Sequence, residues 1–294
     1  MGMAPPEINV PAVFKLMNRL NKMDGLRASG LGEGTLVILE DDEPPGVRVE
    51  VGEFRRIASG SPSALVAVDS SAIPLAYAER KWYLVFSAGI VVRGGAGSPP
   101  SIFRVGPQLA ELERREGEDQ QAAARRLRER VEGSIVMELL REDAIRGRTL
   151  ILVDGSLTGL SELECSAARG RDVHLIGISK ATKVVPSALG VLPPGPGYSV
   201  LYRSGCYYVT AARLEEYGIP LRVDVVDLES LSSLLASDVI VRGYPDSLRL
   251  AHYSSIISTA EEVAAVASLA MRGASLTKPL ERREALLGLL KVRG

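Results

Sequence analysis

A chain of 294 residues with 46% hydrophobic and 24% charged residues has an ordinary globular composition and can bury one large core or two smaller ones. A net charge of −1 excludes a global basic field and argues against a passive nucleic-acid coat, but not against a nuclease, whose clustered carboxylates cancel local basic patches. No run approaches the roughly 18 apolar residues of a membrane span. The first residues carry no secretory or myristoylation pattern, and Cys165 and Cys206 make neither a disulfide framework nor a zinc site. A cytoplasmic location is the simplest expectation.

In chain order, Val13, Met17 and Leu20 have helical spacing within residues 9–24, with Leu16 beside them. Strand-like runs at 35–39 and 47–51 flank an acidic turn at 41–45. With the linker SGSPS at 59–63, residues 1–60 are predicted to form a small appendage and 61–294 the main domain. That domain opens with ALVAVD (64–69), a continuous apolar run ending in a carboxylate. KWYLVFSAGIVVRG (81–94) predicts two strands broken near Ala88-Gly89, and SIFRV (101–105) a third. The Glu, Arg, Ala, Leu and Gln content of 107–146 predicts one long helix, with Gly117 or Gly133 as the points where it would break. RTLILVDGS (148–156) returns to a buried strand, and its aspartate again falls where the apolar run stops. A short helix near 160–168, a strand at 173–179, a Pro/Gly loop at 193–197 and strands YSVLYRS, CYYVTAA and RVDVVDL follow. Residues 228–237 predict a helix, and 243–273 a turn feeding one long helix or two.

Two strands thus end in nearly the same phrase, AVDSS at 67–71 and LVDGS at 152–156. An aspartate at the carboxyl end of a strand sits where a sheet opens, and small residues after it let a ligand approach the backbone. If the strands are neighbours, Asp69 and Asp154 face one spot and suit Mg²⁺ or Mn²⁺, hard cations that prefer oxygen. Such a site activates water and stabilises the leaving oxygen in phosphodiester cleavage. Either aspartate alone is equally a turn or helix-cap residue. A third carboxylate is expected from the helix between them. Glu132 shares a face with Ile135, Val136 and Leu139, whereas Glu138 lies beside Ser134, Arg141 and Glu142, so Glu132 is the choice. A salt bridge to Arg128, one turn back, is the alternative.

Tyr244-Pro245 opens a helix on which Leu248 and His252 share a face. His252 has three candidate roles: metal ligand, proton donor or phosphate contact; a structural role is the alternative. Lys180 ends the strand at 173–179, where its ammonium can reach a phosphate or simply be solvated. His174 is assigned no role. The cluster Arg125, Arg126, Arg128 and Arg130 reads as a solvated helix face interleaved with glutamate.

The ordered set AVDSS, a helix glutamate, LVDGSL, GISKATK and GYPDSLRLAH resembles the NurA family of archaeal and bacterial nucleases over about residues 64 to 260. No single motif is specific; the order and the YP-x₂-L-x₃-H ending carry the likeness. The resemblance implies an α/β, ribonuclease-H-like mixed sheet flanked by helices, with Asp69 and Asp154 side by side. It also implies Mn²⁺, with Mg²⁺ as alternative, bound by Asp69, Glu132 and Asp154, and catalytic roles for these three with Lys180, Tyr244 and His252. The implied activity is 5′-to-3′ exonuclease and single-strand endonuclease on DNA. The implied assembly is a homodimer docked on a hexameric HerA-type ATPase for end resection in recombinational repair. One departure is Asp-Ser-Ser where Asp-Gly-Ser is usual. Val13, Phe14 and Met17, if exposed, would form a docking helix for that ATPase. A sugar-kinase or actin-like ATPase is the rival reading, but the two Asp phrases lie too close in sequence for each to open its own domain, and no GxxxxGK[ST] loop appears. A silent scaffold is the other.

Overall fold

The computed structural model describes residues 7, 8, 13, 52–78, 80–95, 97–141, 145–157, 168, 170, 172–180 and 192–271. The predicted strands at 35–39 and 47–51 lie outside these, as do all of the 9–24 helix but Val13 and all of the 160–168 helix but Ala168. Val13 is fully buried in the main core, so it is not a surface residue of a docking helix.

Glu7–Ile8 (β1) and Arg55–Arg56 (β2) are two-residue strands. Ala64–Ala78 (β3), Lys81–Arg93 (β4) and Ser101–Glu113 (β5) form a long antiparallel meander. A helix Gln120–Arg141 (α1) follows, then Ile145–Arg146 (β6), Thr149–Asp154 (β7) and Val173–Ser179 (β8). Gly197–Ser204 (β9), Tyr207–Arg213 (β10) and Leu221–Val225 (β11) continue the sheet. Ser230–Ser237 (α2), the hairpin Ile240–Val241 (β12) and Tyr244–Pro245 (β13), Asp246–Ser255 (α3) and Thr259–Met271 (α4) complete the described chain. The main sheet has nine strands in the order β2-β9-β10-β11-β8-β7-β3-β4-β5. β3, β7 and β8 run parallel at its centre and the other pairs are antiparallel.

Strand side chains alternate between faces, which divides the core in two. Val66, Val68, Phe86 and Ile90 pack against Leu127, Val131, Ile135 and Leu139 of α1. Leu65, Ala67, Val91, Leu150 and Leu152 pack on the opposite face with Leu231 and Leu234 of α2 and Leu248 and Ala251 of α3. Burial on both faces explains the continuous apolar runs of β3 and β7.

β4 is unbroken through Ala88-Gly89, because every residue on either side pairs with β3. Residues 107–113 are strand, not helix: Ala110 and Leu112 are buried while Glu111 and Glu113 are exposed, the period of two that glutamate-rich composition masked. The chain turns at Gly117, whose φ of +73° suits glycine, and Asp119 Oδ1 caps α1 by accepting the Ala122 N–H at 2.8 Å. Gly133 leaves α1 intact. Cys206 is buried and disulfide-bonded, a pairing that the count of two cysteines did not announce.

Candidate metal centre

The parallel register pairs Val68 with Val153, so the next residues, Asp69 and Asp154, lie side by side. There β7 ends, while β3 runs on to Ala78 paired only with β4. The sheet therefore opens beside Asp69 into a cavity of about 510 Å³, lined by Ser70, Arg128, Asp154, Lys180 and His252 among others.

Asp69 is fully buried and points to the α3 face. Its Oδ2 lies 2.7 Å from His252 Nδ1. One donor atom from each of Asp69, Asp154 and His252 falls within 4.8 Å of the others. His252 reaches Asp69 because α3 sits directly on Gly89, the β4 residue paired with Asp69. Asp154 is held from two sides: Lys180 Nζ donates to Oδ2 at 2.8 Å, and Tyr244 Oη to Oδ1 at 2.9 Å. Lys180 Nζ also stands 4.4 Å from the Tyr244 ring centroid. The loop after Asp154 is pinned by the buried Asp224, whose Oδ2 accepts the Leu157 N–H at 2.9 Å and which pairs with buried Arg222.

Glu132 lies on the other face, on α1. Its Oε1 accepts a 2.5 Å hydrogen bond from Ser70 Oγ. Arg128 bridges the two faces: Nε donates to the Ser70 carbonyl at 2.8 Å, and Nη2 lies 3.5 Å from Asp69 and 3.9 Å from Glu132. Glu132 is thus beside the centre but outside the converging trio. The serine that departs from the usual Asp-Gly-Ser phrase is the one that holds it. The sequence offers Arg128 as a salt-bridge partner of Glu132 and as one of the arginine cluster, and its one-turn spacing from Glu132 is the available signal. The arginine cluster is not a solvated face: Arg126 is buried on Glu118 at 2.8 Å, Arg128 lies against Asp69 and Glu132, and of the four only Arg125 is exposed. Glu138 is half-buried, and His174 pairs with Asp172 at 3.2 Å, away from the centre.

Electrostatics favour a cation. Burial, and then the neighbouring Asp154, push the Asp69 carboxyl above its ordinary value. Burial pushes Glu132 well above its own, with Asp69 adding to the rise against Arg128. Burial and the adjacent Asp154 hold the Tyr244 phenol protonated, well above its usual range. Asp69 Oδ1 is buried without a hydrogen-bond donor among the described residues. Arg128 Nη2, 3.5 Å away, gives this oxygen a charge partner but no hydrogen bond, and a divalent ion would satisfy it. The donor set, two carboxylates and an imidazole, fits Mn²⁺ or Mg²⁺.

A stability prediction follows. Carboxyls raised in the folded state hold protons that the unfolded chain has released, so metal-free stability falls as pH climbs from about 4 through the raised values. Metal binding needs the deprotonated form, so Mn²⁺ should raise Tm more at pH 8 than at pH 5. At a hundred times Kd the rise should be roughly 5–10 °C. Scanning calorimetry with Mn²⁺ and with chelator measures it; equal shifts at both pH values would place the metal elsewhere.

A mixed sheet with parallel central strands, helices on both faces and two carboxylates side by side where β7 stops and β3 runs on defines a ribonuclease-H-like α/β protein with an acidic site. No family model and no curated protein matches the chain. Among solved structures it is similar to a crystal structure of NurA, with a TM-score of 0.50 and 10% identity over 94% of this chain and 98% of that one. It also matches NurA with manganese (TM-score 0.48, 11% identity, 74% of this chain and 91% of that one). A third match is NurA bound to dAMP and manganese (TM-score 0.49, 12% identity, 79% and 92%). At 10% identity the first likeness establishes the shared fold.

Proposed function

We propose that this chain is a divalent-metal-dependent DNA nuclease of the NurA kind. The convergence of Asp69, Asp154 and His252 donors within 4.8 Å at the open end of the sheet carries this reading. Asp69 and Asp154 hold Mn²⁺, with Mg²⁺ as the alternative, and His252 adds a nitrogen ligand or contacts substrate through Nε2. When bound, the metal activates water and stabilises the leaving oxygen of the phosphodiester. Tyr244 orients Asp154 through its hydroxyl. Lys180, with a half-exposed side chain, offsets carboxylate charge and meets an incoming phosphate. Arg128 offsets Asp69 and Glu132, and Glu132 is retained as the third carboxylate, placed by Ser70.

Glu132→Gln should lower cleavage about 10- to 100-fold, the usual cost of disturbing groups that support ligands, while Glu138→Ala stays near wild type. Initial rates on one oligonucleotide decide it, and the reverse order would remove Glu132 from the site.

The same reading extends to 5′-to-3′ exonuclease and single-strand endonuclease activity, a cytoplasmic homodimer and docking on a hexameric HerA-type ATPase in end resection. No helix among the described residues is long and apolar enough to cross a membrane. A deletion of residues 1–25 would remove Val13 from the core and so would not test docking cleanly. The deciding assay is end-labelled DNA with Mn²⁺, Mg²⁺ or chelator, with and without the ATPase. Cleavage that needs the metal is expected; equal cleavage in chelator, or none with either metal, overturns the reading.

A further inference from the structure

Beside the metal centre lies a second cavity, of about 590 Å³, which shares Lys180 with it. Among the described residues its lining contains three cations, Lys180, Arg242 and Arg249, and two aromatics, Tyr244 and Tyr253, but no carboxylate. The contrast with the acidic centre next door is sharp, and the volume is in the range of a ligand-sized pocket.

Its rim is built rather than incidental. Arg242 and Gly243 make the two-residue turn between β12 and β13, with φ of +55° and +82°. That turn favours glycine or asparagine, and a bulky residue in the left-handed region is uncommon. The turn is held in place: the Gly243 N–H donates to Glu215 Oε2 at 2.6 Å, and a Cβ on Gly243 would stand 2.8 Å from the Ile219 nitrogen. Arg242 is exposed and has no hydrogen bond or ion pair among the described residues. On α3, Arg249 and Tyr253 are one turn apart and share a side. Arg249 is oriented by Asp246 at 3.1 Å, whereas Tyr253 is 62% exposed. Tyr253 follows His252 directly, with the two rings 6.1 Å apart.

We infer that this cavity binds the substrate strand beyond the phosphate at the metal centre, as unpaired DNA, with Arg242 and Arg249 on backbone phosphates and Tyr253 under a base. The inference rests on the nuclease reading. Cations that alternate with an exposed ring suit a single strand, whose unstacked bases offer a face to an aromatic side chain. In a duplex those faces are already stacked on one another. Lys180, common to both cavities, stands where the strand passes from one to the other.

The test uses the full chain with Arg242→Gly, which keeps the left-handed turn, and Tyr253→Ala. Arg125→Ala, an arginine removed from the exposed face of α1, is the control. Affinity for a fluorescent twenty-residue oligothymidylate is measured in chelator across a salt series. Hydrolysis of bis(p-nitrophenyl) phosphate, which is too small to span both cavities, is measured with Mn²⁺. Tyr253→Ala should weaken oligonucleotide binding about tenfold. Arg242→Gly should weaken it and reduce the slope of log affinity against log salt by about 0.7, one phosphate contact on a single strand. Neither should change hydrolysis of the small ester, and the control should match wild type. Unchanged affinity in both variants overturns the inference, as does an equal loss for a duplex of the same length. A wild-type protein that binds the oligonucleotide but hydrolyses neither substrate with metal would sink the nuclease reading instead, while the affinity ratios still judge the cavity.

Discussion

Asp69→Asn and Asp154→Asn are each expected to abolish the proposed metal-dependent DNA cleavage while the protein stays folded. The expected loss is at least about 10²-fold in rate, because disturbing groups that merely support metal ligands already costs 10- to 100-fold. Asparagine keeps the shape and one carbonyl oxygen but removes the charge that holds a hard cation. Folding survives because the two carboxylates repel each other in the metal-free protein: the Asp69 carboxyl is raised by burial and by Asp154, and neutralising either residue relieves the repulsion. The two variants should therefore melt at or above the wild-type temperature in chelator and lose the Mn²⁺-dependent rise. Parallel rate and melting measurements separate this from simple misfolding. Activity near wild type in either variant would exclude a shared metal.

Gly89→Ala is expected to be nearly as damaging, although residue 89 touches no substrate. A Cβ there would stand 2.1 Å from both the Ala251 carbonyl oxygen and Ser254 Oγ of α3. Backbone cannot yield as a flexible side chain does, so α3 must move away from the sheet. Overpacking of this kind costs about 1–3 kcal/mol. The larger effect is on the centre: α3 carries His252, bonded to Asp69 at 2.7 Å, and a misplacement of about 1 Å can cost on the order of 10²-fold in rate. Mn²⁺ affinity should fall together with cleavage, and calorimetric titration reads it directly. Normal metal affinity in a folded Gly89→Ala protein would show that α3 does not set the ligand geometry.

That glycine also shows where reading the chain alone fell short. In an apolar run a glycine signals either a break or a close approach of another backbone, and the break was the wrong choice. The deciding atom, the Ala251 carbonyl, belongs to a helix more than a hundred residues away. The same limit misassigned residues 107–113, where glutamate-rich composition favoured helix but pairing with β4 imposed strand. Glu132 was chosen for lying on the apolar stripe of α1, and it is indeed buried beside the site. Its bond to Ser70 and the span of Arg128 between the two faces depend on how α1 lies across β3.

The chain by itself marked the two aspartates that close apolar runs, the histidine on the helix after Tyr244-Pro245, and a lysine closing β8; it did not show that β3 continues past Asp69 to Ala78. These were legible because burial on both faces forces long apolar runs, and a polar residue that ends such a run stands out. Tertiary structure alone decided that the carboxylates are neighbours, through the Val68–Val153 register. It also decided that His252 meets Asp69 across Gly89, and that Glu132 stands behind Arg128. Strand register and helix placement are set by contacts between distant segments, and no local pattern of residues encodes a distance across the sheet.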